Sequence, residues 1–434
     1  MADLEVEMGP LRLKNPLIIG AGPSTRNYTN IVKAIEAGSG AVVVRSLHVM
    51  SPDEQRQPVR SVFRVFSPEN VFGDGLYSFQ STSAPARRIV RGVDPGLGGA
   101  TRTPTLEQWA EVIARLEPVA GKHGCHLIGS IGWCGTNMPG LDVWEAEARA
   151  MTEAGVSALE LHTSPSPPCE CARFVQVDPD RYLVAPIRAV KRVSSLPVFV
   201  KLGVDCCDLI GAARLAQIAG ADGVVPTTRW ISLDVDVENE TEKIWRLPGI
   251  GGPWSAPIMC GLIYRLRHGS GGLGSGYASI GQTLASDESV TIPIIPSGGV
   301  KTDKEVLQYL LSGASAVQIC TQILMEGYGL VPRILEAMEQ WMDRRGYSRI
   351  EDFCGTVRLH TKETFARELR PHPLVNANLC TGCGRCIECC WNQAPSLREG
   401  VSHIERERCE GCQACRYVCP VGAISMKWEE DREE

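Results

Sequence analysis

Residues 293–321 read PIIPSGGVKTDKEVLQYLLSGASAVQICT, a stretch with the order strand, helix, strand. Its ends, PIIP and AVQI, are short and largely apolar, as expected of parallel strands that are buried on both faces. Between them, Thr302 followed three residues later by Glu305 is a capping-box pattern, which predicts that a helix begins next to Thr302. The stretch therefore predicts one β–α–β unit of a parallel sheet.

Similar apolar runs precede this unit along the chain. With its own two strands the runs are 17-LIIGAG-22, 41-AVVVRS-46, 126-HLIGSIG-132, 158-ALELHTS-164, 197-PVFVKLG-203, 223-GVVPTT-228, 293-PIIPSGG-299 and 316-AVQICTQ-322. Helix-like segments, for example 209–220, lie between most of them. We therefore predict that residues 1–360 form a (β/α)8 TIM barrel, with insertions at 47–125 and 229–292. A doubly wound open sheet is the alternative.

The residues that follow the last two strands predict a phosphate site. Gly298 and Gly299 follow the seventh strand, and Cys320 and Thr321 follow the eighth. In TIM barrels the loops after these strands often bind phosphate, because glycine lets the backbone approach an anion. A glycine pair is equally compatible with a simple tight turn. Upstream, Gly251, Gly252 and Ser255 are candidates for a third part of the same site.

Composition excludes several classes of protein. The net charge is -6 and no basic block occurs, which argues against nucleic-acid binding. No run reaches the 18 or so apolar residues of a membrane span, and the first residues, MADLEVEMGP, lack the pattern of a signal peptide. We therefore expect a cytoplasmic protein with reduced thiols.

Nine of the 18 cysteines lie in residues 380–434. Two runs share the spacing C-x2-C-x2-C-x3-C, namely Cys380, Cys383, Cys386, Cys390 and then Cys409, Cys412, Cys415, Cys419. In two-cluster ferredoxins three cysteines of each run hold one 4Fe–4S cluster and the fourth binds the other cluster. The spacing therefore predicts two clusters in a small domain of residues 361–434, with Cys419 completing the first cluster and Cys390 the second.

Other interpretations of these cysteines fit the sequence less well. A disulfide scaffold needs an oxidising compartment, and zinc knuckles use two pairs of ligands rather than three plus one. Cys389 is a ninth, surplus cysteine, and Trp391 stands where proline usually follows the fourth ligand. The segment CPVGAISM after the last run predicts a strand that pairs back on the domain.

Several motifs together resemble the dihydroorotate dehydrogenase family. They are NPLIIGAG, VFVKLG, GADGVV, IPSGGVKTDKEVLQYLLSGASAVQICT and the paired cysteine runs. The similarity extends from about residue 5 to residue 426, and it is greater still to the FMN barrel and ferredoxin part of dihydropyrimidine dehydrogenases. The resemblance implies FMN, two 4Fe–4S clusters and transfer of electrons between them.

The resemblance also implies roles for particular residues. Lys201 would lie beside the flavin and stabilise negative charge on the reduced ring, since a buried lysine without a partner would be costly. The alternative is a lysine that extends to solvent at the end of its strand. The remaining residues implied for FMN are Gly20, Ala21, Arg45, Asn137 and Thr228 around the ring, and Gly252, Ser255, Gly298, Gly299, Cys320 and Thr321 at the phosphate.

The substrate positions depart from the family pattern. Asn137, His162 and Thr228 occupy positions where pyrimidine-binding relatives have asparagines, and only Asn137 keeps the amide. Arg45 replaces a lysine of the relatives. Because asparagine pairs with the donor and acceptor edge of a pyrimidine, we expect a substrate other than a simple pyrimidine.

The proton donor is open between two sets of residues. The cysteine that donates a proton in dihydropyrimidine dehydrogenases corresponds to about Val175, while Cys169 and Cys171 lie earlier in the same loop. Either thiol could act as the acid, or both could be incidental. His162 is the rival acid, or else a structural histidine.

Two functions follow from these residues. The first is an FMN-dependent oxidoreductase acting on a C=C bond conjugated to a carbonyl. Since no GxGxxG follows a strand, its electrons would come from a separate NAD(P)H-reading flavoprotein subunit or a ferredoxin. The second is an auxiliary electron-transfer subunit of a larger reductase complex. The relatives imply a homodimer or hetero-oligomer.

Overall fold

A computed structural model describes residues 2–49, 59–66, 77–85, 106–133, 140–163, 178–203, 208–228, 230–231, 233, 235–242, 249–269, 289–359 and 371–427. The chain divides into two compact units, Met1–Thr356 and Val357–Glu434. The domain boundary expected between residues 360 and 361 lies outside the described residues.

The first unit alternates strands and helices. Its strands are β1 (Val6–Met8), β2 (Leu11–Leu13), β3 (Leu17–Ile19), β4 (Ala41–Val49), β5 (Val59–Phe66), β6 (Tyr77–Pro85), β7 (His126–Trp133), β8 (Ala158–His162), β9 (Val198–Lys201), β10 (Gly223–Val225), β11 (Trp230–Ile231), β12 (Val235–Asp236), β13 (Thr241–Glu242), β14 (Gly249–Gly251) and β15 (Val317–Ile319). Its helices are α1 (Tyr28–Glu36), α2 (Leu106–Lys122), α3 (Leu141–Glu153), α4 (Ala185–Val193), α5 (Leu209–Ile218), α6 (Ala256–His268), α7 (Asp303–Leu311), α8 (Thr321–Glu326) and α9 (Leu330–Arg345).

Parallel strands close into a barrel. The sheet order is β10-β9-β8-β7-β4-β3-β15. Residues 294–297 fill the gap between its two ends, since the Ile295 amide donates to the Val224 carbonyl and the Gln318 amide donates to the Pro296 carbonyl, both at 2.8 Å. Pro293 and Pro296 have no amide proton, so this seventh strand pairs through isolated bridges only. The (β/α)8 prediction is confirmed, and the open sheet is excluded because both edges are paired.

The helix of the 293–321 unit forms where the capping box predicts it. The Thr302 side chain accepts the Lys304 amide, while the Glu305 carboxylate accepts the Thr302 amide at 2.7 Å. Val306, Leu307 and Leu310 bury the inner face of α7. The capping hydrogen bonds satisfy backbone donors that the first helical turn would otherwise leave free.

The insertion predicted at residues 47–125 is shorter than expected. Its last part forms α2, which packs beside α1 and α3 in the helical layer, and the Trp109 indole donates to the Arg45 carbonyl at 3.1 Å. Strands from the two expected insertions meet in a four-stranded antiparallel sheet of order β11-β14-β6-β5. The amphipathic pattern of α2 was missed because apolar strand-like runs surround it.

The second unit consists of two hairpin-like pairs and two short helices. The elements are β16 (His372–Val375), α10 (Arg385–Glu388), β17 (Pro395–Arg398), β18 (Val401–Ile404), α11 (Ala414–Val418) and β19 (Ile424–Lys427). β16 pairs with β19, and β17 pairs with β18, both antiparallel. The strand predicted after the last cysteine is therefore confirmed as β19. Within the described ranges of both units, no helix is long and apolar enough to cross a bilayer.

Candidate functional site

The carboxyl ends of the barrel strands align several predicted residues in one row. Gly132 on β7 is opposite His162 on β8, and His162 is opposite Lys201 on β9, which is in turn opposite Val225 on β10. A Cβ on Gly132 would lie 2.9 Å from the His162 Cβ, so glycine leaves room for the histidine. His162 is half-buried beside a buried Lys201. The fold thus brings together two residues that are 39 positions apart in the chain.

Lys201 is buried and has two side-chain partners. Its side chain is only 8% exposed, which excludes the alternative of a lysine extending to solvent. The Nζ donates to Glu160 Oε1 at 3.1 Å and to Gln318 Oε1 at 2.8 Å. The buried ammonium therefore has two partners within the protein, in addition to the flavin that the resemblance implies. Glu160 and Gln318 were missed, although each is a polar residue in an otherwise apolar strand.

The turn after β3 lies against the end of β15. A Cβ on Gly20 would lie 3.3 Å from Gln318 Oε1, and a Cβ on Gly22 would lie 2.4 Å from Cys320 Sγ. The Gly20 amide donates to the Ile319 carbonyl at 2.9 Å. Ala21 between them is partly exposed. These contacts place Gly20 and Ala21 next to Cys320, the residue from which α8 begins.

The glycine pair after the seventh strand lies against the start of α6. Gly298 and Gly299 have φ angles of +91° and +79°, which residues with a Cβ rarely adopt. A Cβ on Gly299 would lie 2.3 Å from the Tyr309 hydroxyl oxygen and 3.0 Å from Ser255 Oγ. Ser255 donates to the Gly252 carbonyl at 2.9 Å. Two of the three predicted parts of the phosphate site, the Gly298–Gly299 pair and the segment with Gly252 and Ser255, therefore lie close together. They meet at the start of α6, and the start of a helix suits an anion.

Tyr309 on α7 holds this glycine loop. The ring is fully buried, and its hydroxyl donates to the Gly298 carbonyl at 2.9 Å. Burial raises the pKa of Tyr309 well above its ordinary value, so the hydroxyl remains a donor. Sequence reasoning missed Tyr309, since a tyrosine at a helical position facing the core predicts packing only.

Two other predicted residues have features that the sequence does not show. Arg45 lies where the pairing of β4 with β7 shifts register, between Val44 and Leu47. Such bulges change the direction of a side chain and are frequent near active sites. Thr228 is half-buried, but its neighbour Thr227 is buried and donates to the Ser297 carbonyl at 3.0 Å. The predicted Asn137, Cys169 and Cys171 lie outside the described residues.

The second unit contains two cavities lined by cysteines from both runs. One, of about 330 Å³, is lined by Cys380, Cys383, Cys386 and Cys419 among others. The other, of about 380 Å³, is lined by Cys389, Cys390, Cys409, Cys412 and Cys415 among others. Each cavity therefore receives three cysteines of one run and the last cysteine of the other. Cys389 lies at the second cavity, but its thiol donates to the Cys386 carbonyl at 3.4 Å.

Backbone amides point at several of these sulfurs. The Ser402 amide donates to Cys380 Sγ at 3.4 Å, the Gly411 amide to Cys409 Sγ at 3.4 Å and the Ala423 amide to Cys419 Sγ at 3.2 Å. Such donors suit thiolate sulfur, because they compensate its negative charge. No three His, Cys, Asp or Glu residues in the described ranges converge as ligands of a single metal ion would. The three-plus-one arrangement of sulfurs around each cavity is the one that 4Fe–4S clusters of two-cluster ferredoxins use.

The comparisons with known proteins agree with both units. The family model described as dihydroorotate dehydrogenase matches residues 278–342, and the model described as 4Fe-4S dicluster domain matches residues 372–430. The NAD-dependent dihydropyrimidine dehydrogenase subunit PreA of Escherichia coli is 25% identical over 98% of this chain and 95% of its own length. Both units of the chain are thus similar to the dihydroorotate dehydrogenase-like family of iron–sulfur flavoprotein oxidoreductases.

Relatives within the family also include shorter proteins. The catalytic subunit of dihydroorotate dehydrogenase B (NAD(+)) of Thermoplasma acidophilum is 26% identical over 82% of this chain and 99% of its own length. The corresponding subunit of Halalkalibacterium halodurans is 30% identical over 38% of this chain. The similarity to the dihydroorotate dehydrogenase B subunit of Thermoplasma acidophilum thus covers 82% of the chain, whereas the similarity to PreA covers 98%.

Proposed function

We propose that the chain is an FMN- and 4Fe–4S-dependent oxidoreductase acting on a CH–CH or C=C bond conjugated to a carbonyl. The observation that carries this proposal is the buried Lys201 ammonium, which donates to Glu160 and to Gln318, the residue that Gly20 contacts. A buried cation at the active-site face of a TIM barrel suits a cofactor that gains negative charge on reduction. The two cysteine-lined cavities would each hold one cluster, which supports this proposal.

The residues present fit FMN in their chemistry. The left-handed Gly298 and Gly299 next to Ser255 and the start of α6 would bind the phosphate, together with Gly252, Cys320 and Thr321. Gly20, Ala21, Arg45, Asn137, Lys201 and Thr228 would surround the ring. When bound, FMN couples one-electron supply from the clusters to two-electron chemistry on the substrate. The protein's task is to hold the ring and substrate and to move a proton.

Two sets of residues remain candidates for the proton donor. His162 is supported by its position beside Lys201 on the adjacent strand. A thiol from Cys169 or Cys171 is the other candidate, because an ordinary thiol has a pKa near 8.5 and can act as an acid at neutral pH. His162→Gln and Cys171→Ala, compared in one pH series, would assign the role.

The electron partner is proposed from the relatives. Both named relatives are subunits of NAD-dependent enzymes. We therefore propose that a separate NAD(P)H-reading flavoprotein subunit, or a ferredoxin, exchanges electrons with the clusters, in a homodimer or hetero-oligomer. None of the cysteines in the described ranges forms a disulfide bond, and we propose a reducing, cytoplasmic setting.

The function is tested by reoxidation of the reduced flavin. The protein is purified and reduced without oxygen, and uracil, thymine, orotate and non-pyrimidine enones are added separately while the flavin absorbance is followed. We expect at least one non-pyrimidine acceptor to restore the oxidised spectrum faster than the pyrimidines do, because His162 and Thr228 lack the amide of asparagine. If no conjugated acceptor reoxidises the flavin, the chain is an auxiliary electron-transfer subunit instead.

Tyr309→Phe is expected to weaken FMN binding about fivefold. The change removes the donor to the Gly298 carbonyl but leaves the buried ring, at a cost of about 1 kcal/mol in the loop geometry. The dissociation constant of FMN for the apoprotein, measured by fluorescence quenching, gives the result. Tyr347→Phe is the matched control, since Tyr347 stacks on Trp341 at 5.6 Å rather than on the glycine loop. Equal FMN affinity in the two variants would contradict the role of Tyr309.

A further inference from the structure

Lys201, Glu160 and Gln318 form a closed ring of hydrogen bonds. The Lys201 Nζ donates to one oxygen of Glu160 and to the amide oxygen of Gln318, while the Gln318 Nε2 donates to the other oxygen of Glu160. The three residues come from three strands, β9, β8 and β15. Glu160 and Gln318 are each 1% exposed and Lys201 is 6% exposed, so water contributes little to their solvation.

The ring of hydrogen bonds uses only two of the three N–H groups of the Lys201 ammonium. An ammonium has three N–H bonds, of which two are used inside the ring. Among the described residues the third has no protein acceptor. Gly20 covers Gln318 from the turn after β3, with its Cβ position 3.3 Å from Gln318 Oε1. Other ionisable side chains at this end of the described barrel include His162 on β8, beside Lys201, Arg45 on β4, Cys320 after β15, and Glu147 on α3, whose carboxyl accepts the Gly132 amide.

The charges within this ring of hydrogen bonds decide whether Lys201 is protonated. Burial by itself disfavours the ammonium, and an adjacent carboxylate favours it. Glu160 Oε1 lies 3.1 Å from the Lys201 Nζ, so the carboxylate and the ammonium compensate each other's charge away from water. Gln318 adds no charge, but its amide binds both partners and can do so in one orientation only.

We propose that Glu160 and Gln318 are positioning residues for the flavin. Glu160 keeps Lys201 protonated before reduction, and Gln318 directs the third N–H of Lys201 toward the flavin ring. This inference rests on the proposed function. Charge that develops on the reduced ring then meets an ammonium already in place. Because Lys201 is already protonated, it takes up no proton when the flavin is reduced. The protein therefore takes up about one proton per two electrons, and the flavin itself binds that proton.

Glu160→Gln tests the first part. Without the carboxylate, burial favours the neutral amine in the oxidised protein, and the amine gains a proton when the flavin ring becomes negative. The midpoint potential of bound FMN is measured between pH 6 and pH 9, by spectral titration without oxygen. The expected uptake rises from about one to about two protons per two electrons at the upper end of this range. Wild-type proton uptake throughout, with FMN bound, would overturn the role of Glu160.

Gln318→Met tests the second part and also serves if Glu160→Gln does not fold. Methionine has a similar length but neither donor nor acceptor of the amide, while Glu160 still pairs with Lys201. The expected result is about a tenfold loss in the preference of the protein for reduced over oxidised FMN, with proton uptake unchanged. An unchanged preference would overturn the positioning role.

Two further variants separate this inference from the proposed function. Glu145→Gln is the matched control, because Glu145 pairs with Arg192 on the barrel surface, and it should behave as wild type. Lys201→Met should lower the flavin potential at every pH. If Lys201→Met leaves the potential unchanged, the lysine is not beside the flavin and the proposed function is wrong. If only Glu160→Gln and Gln318→Met behave as wild type, the positioning inference alone is wrong.

Discussion

Cys419→Ala is expected to remove the cluster of the first cysteine run, although Cys419 belongs to the second run. Its sulfur lines the same cavity as Cys380, Cys383 and Cys386, and it accepts the Ala423 amide at 3.2 Å. Loss of one ligand of four removes or degrades that cluster, so iron should fall from about eight to about four per chain. Iron analysis together with the electron paramagnetic resonance of the reduced protein identifies which cluster is lost.

The spectra decide between crossed and uncrossed ligation. If the runs are crossed, Cys419→Ala and Cys380→Ala lose the same signal, whereas Cys390→Ala and Cys409→Ala lose the other. The matched control is Cys389→Ala, since Cys389 adjoins Cys390 and lies at the second cavity but donates to a backbone carbonyl. It should keep both clusters. Ligation within each run would instead make Cys419→Ala resemble Cys409→Ala.

Glu147→Gln is expected to stabilise the barrel at neutral and alkaline pH. Glu147 on α3 is 2% exposed, and its Oε1 has no hydrogen-bond partner among the described residues. Burial raises the pKa of Glu147 from 4.5 to about 8, an effect that the amide of Gly132 partly opposes. The folded state therefore holds a proton that the unfolded chain releases at lower pH.

The sign of the pH dependence follows from this raised pKa. The contribution of Glu147 to stability is complete below pH 4.5, declines as pH rises to about 8 and is constant above that value. Glutamine carries no charge, so this decline disappears. Allowing for the unmade hydrogen bonds of the amide, the gain at pH 9 is about 2 to 4 kcal/mol.

Thermal unfolding of the cofactor-loaded protein at pH 5, 7 and 9 measures the effect. The wild-type midpoint should fall more steeply with pH than that of Glu147→Gln, with flavin release reporting on the barrel rather than on the second unit. Glu145→Gln, on the same helix but ion-paired to Arg192, should follow the wild type. Parallel profiles for Glu147→Gln and wild type would show that the carboxyl has a partner or reaches water.

The sequence predicted the strands and helices that carry the candidate site better than it predicted the contacts between the side chains of that site. Seven of the eight runs, the capped helix of 303–311 and the strand after the last cysteine form as the patterns predict, because each pattern depends on neighbours close in the chain. The seventh run closes the barrel through isolated bridges. The partners of Lys201 are 41 and 117 residues away, and no local pattern links them. Polar Glu160 and Gln318 within apolar strands were the available indication, since a buried strand admits such residues only with partners.

The sequence by itself determined which elements form and which chemistry the chain carries. Periodic apolar runs specify parallel strands, and the repeated cysteine spacing specifies cluster ligation, because both depend on distances of a few residues. Only the tertiary structure decided which side chains meet. Closure of the barrel places β8, β9 and β15 so that Glu160, Lys201 and Gln318 share their hydrogen bonds. Because that ring of hydrogen bonds and the carboxyl of Glu147 are buried away from water, the stability of their charges depends on their immediate neighbours.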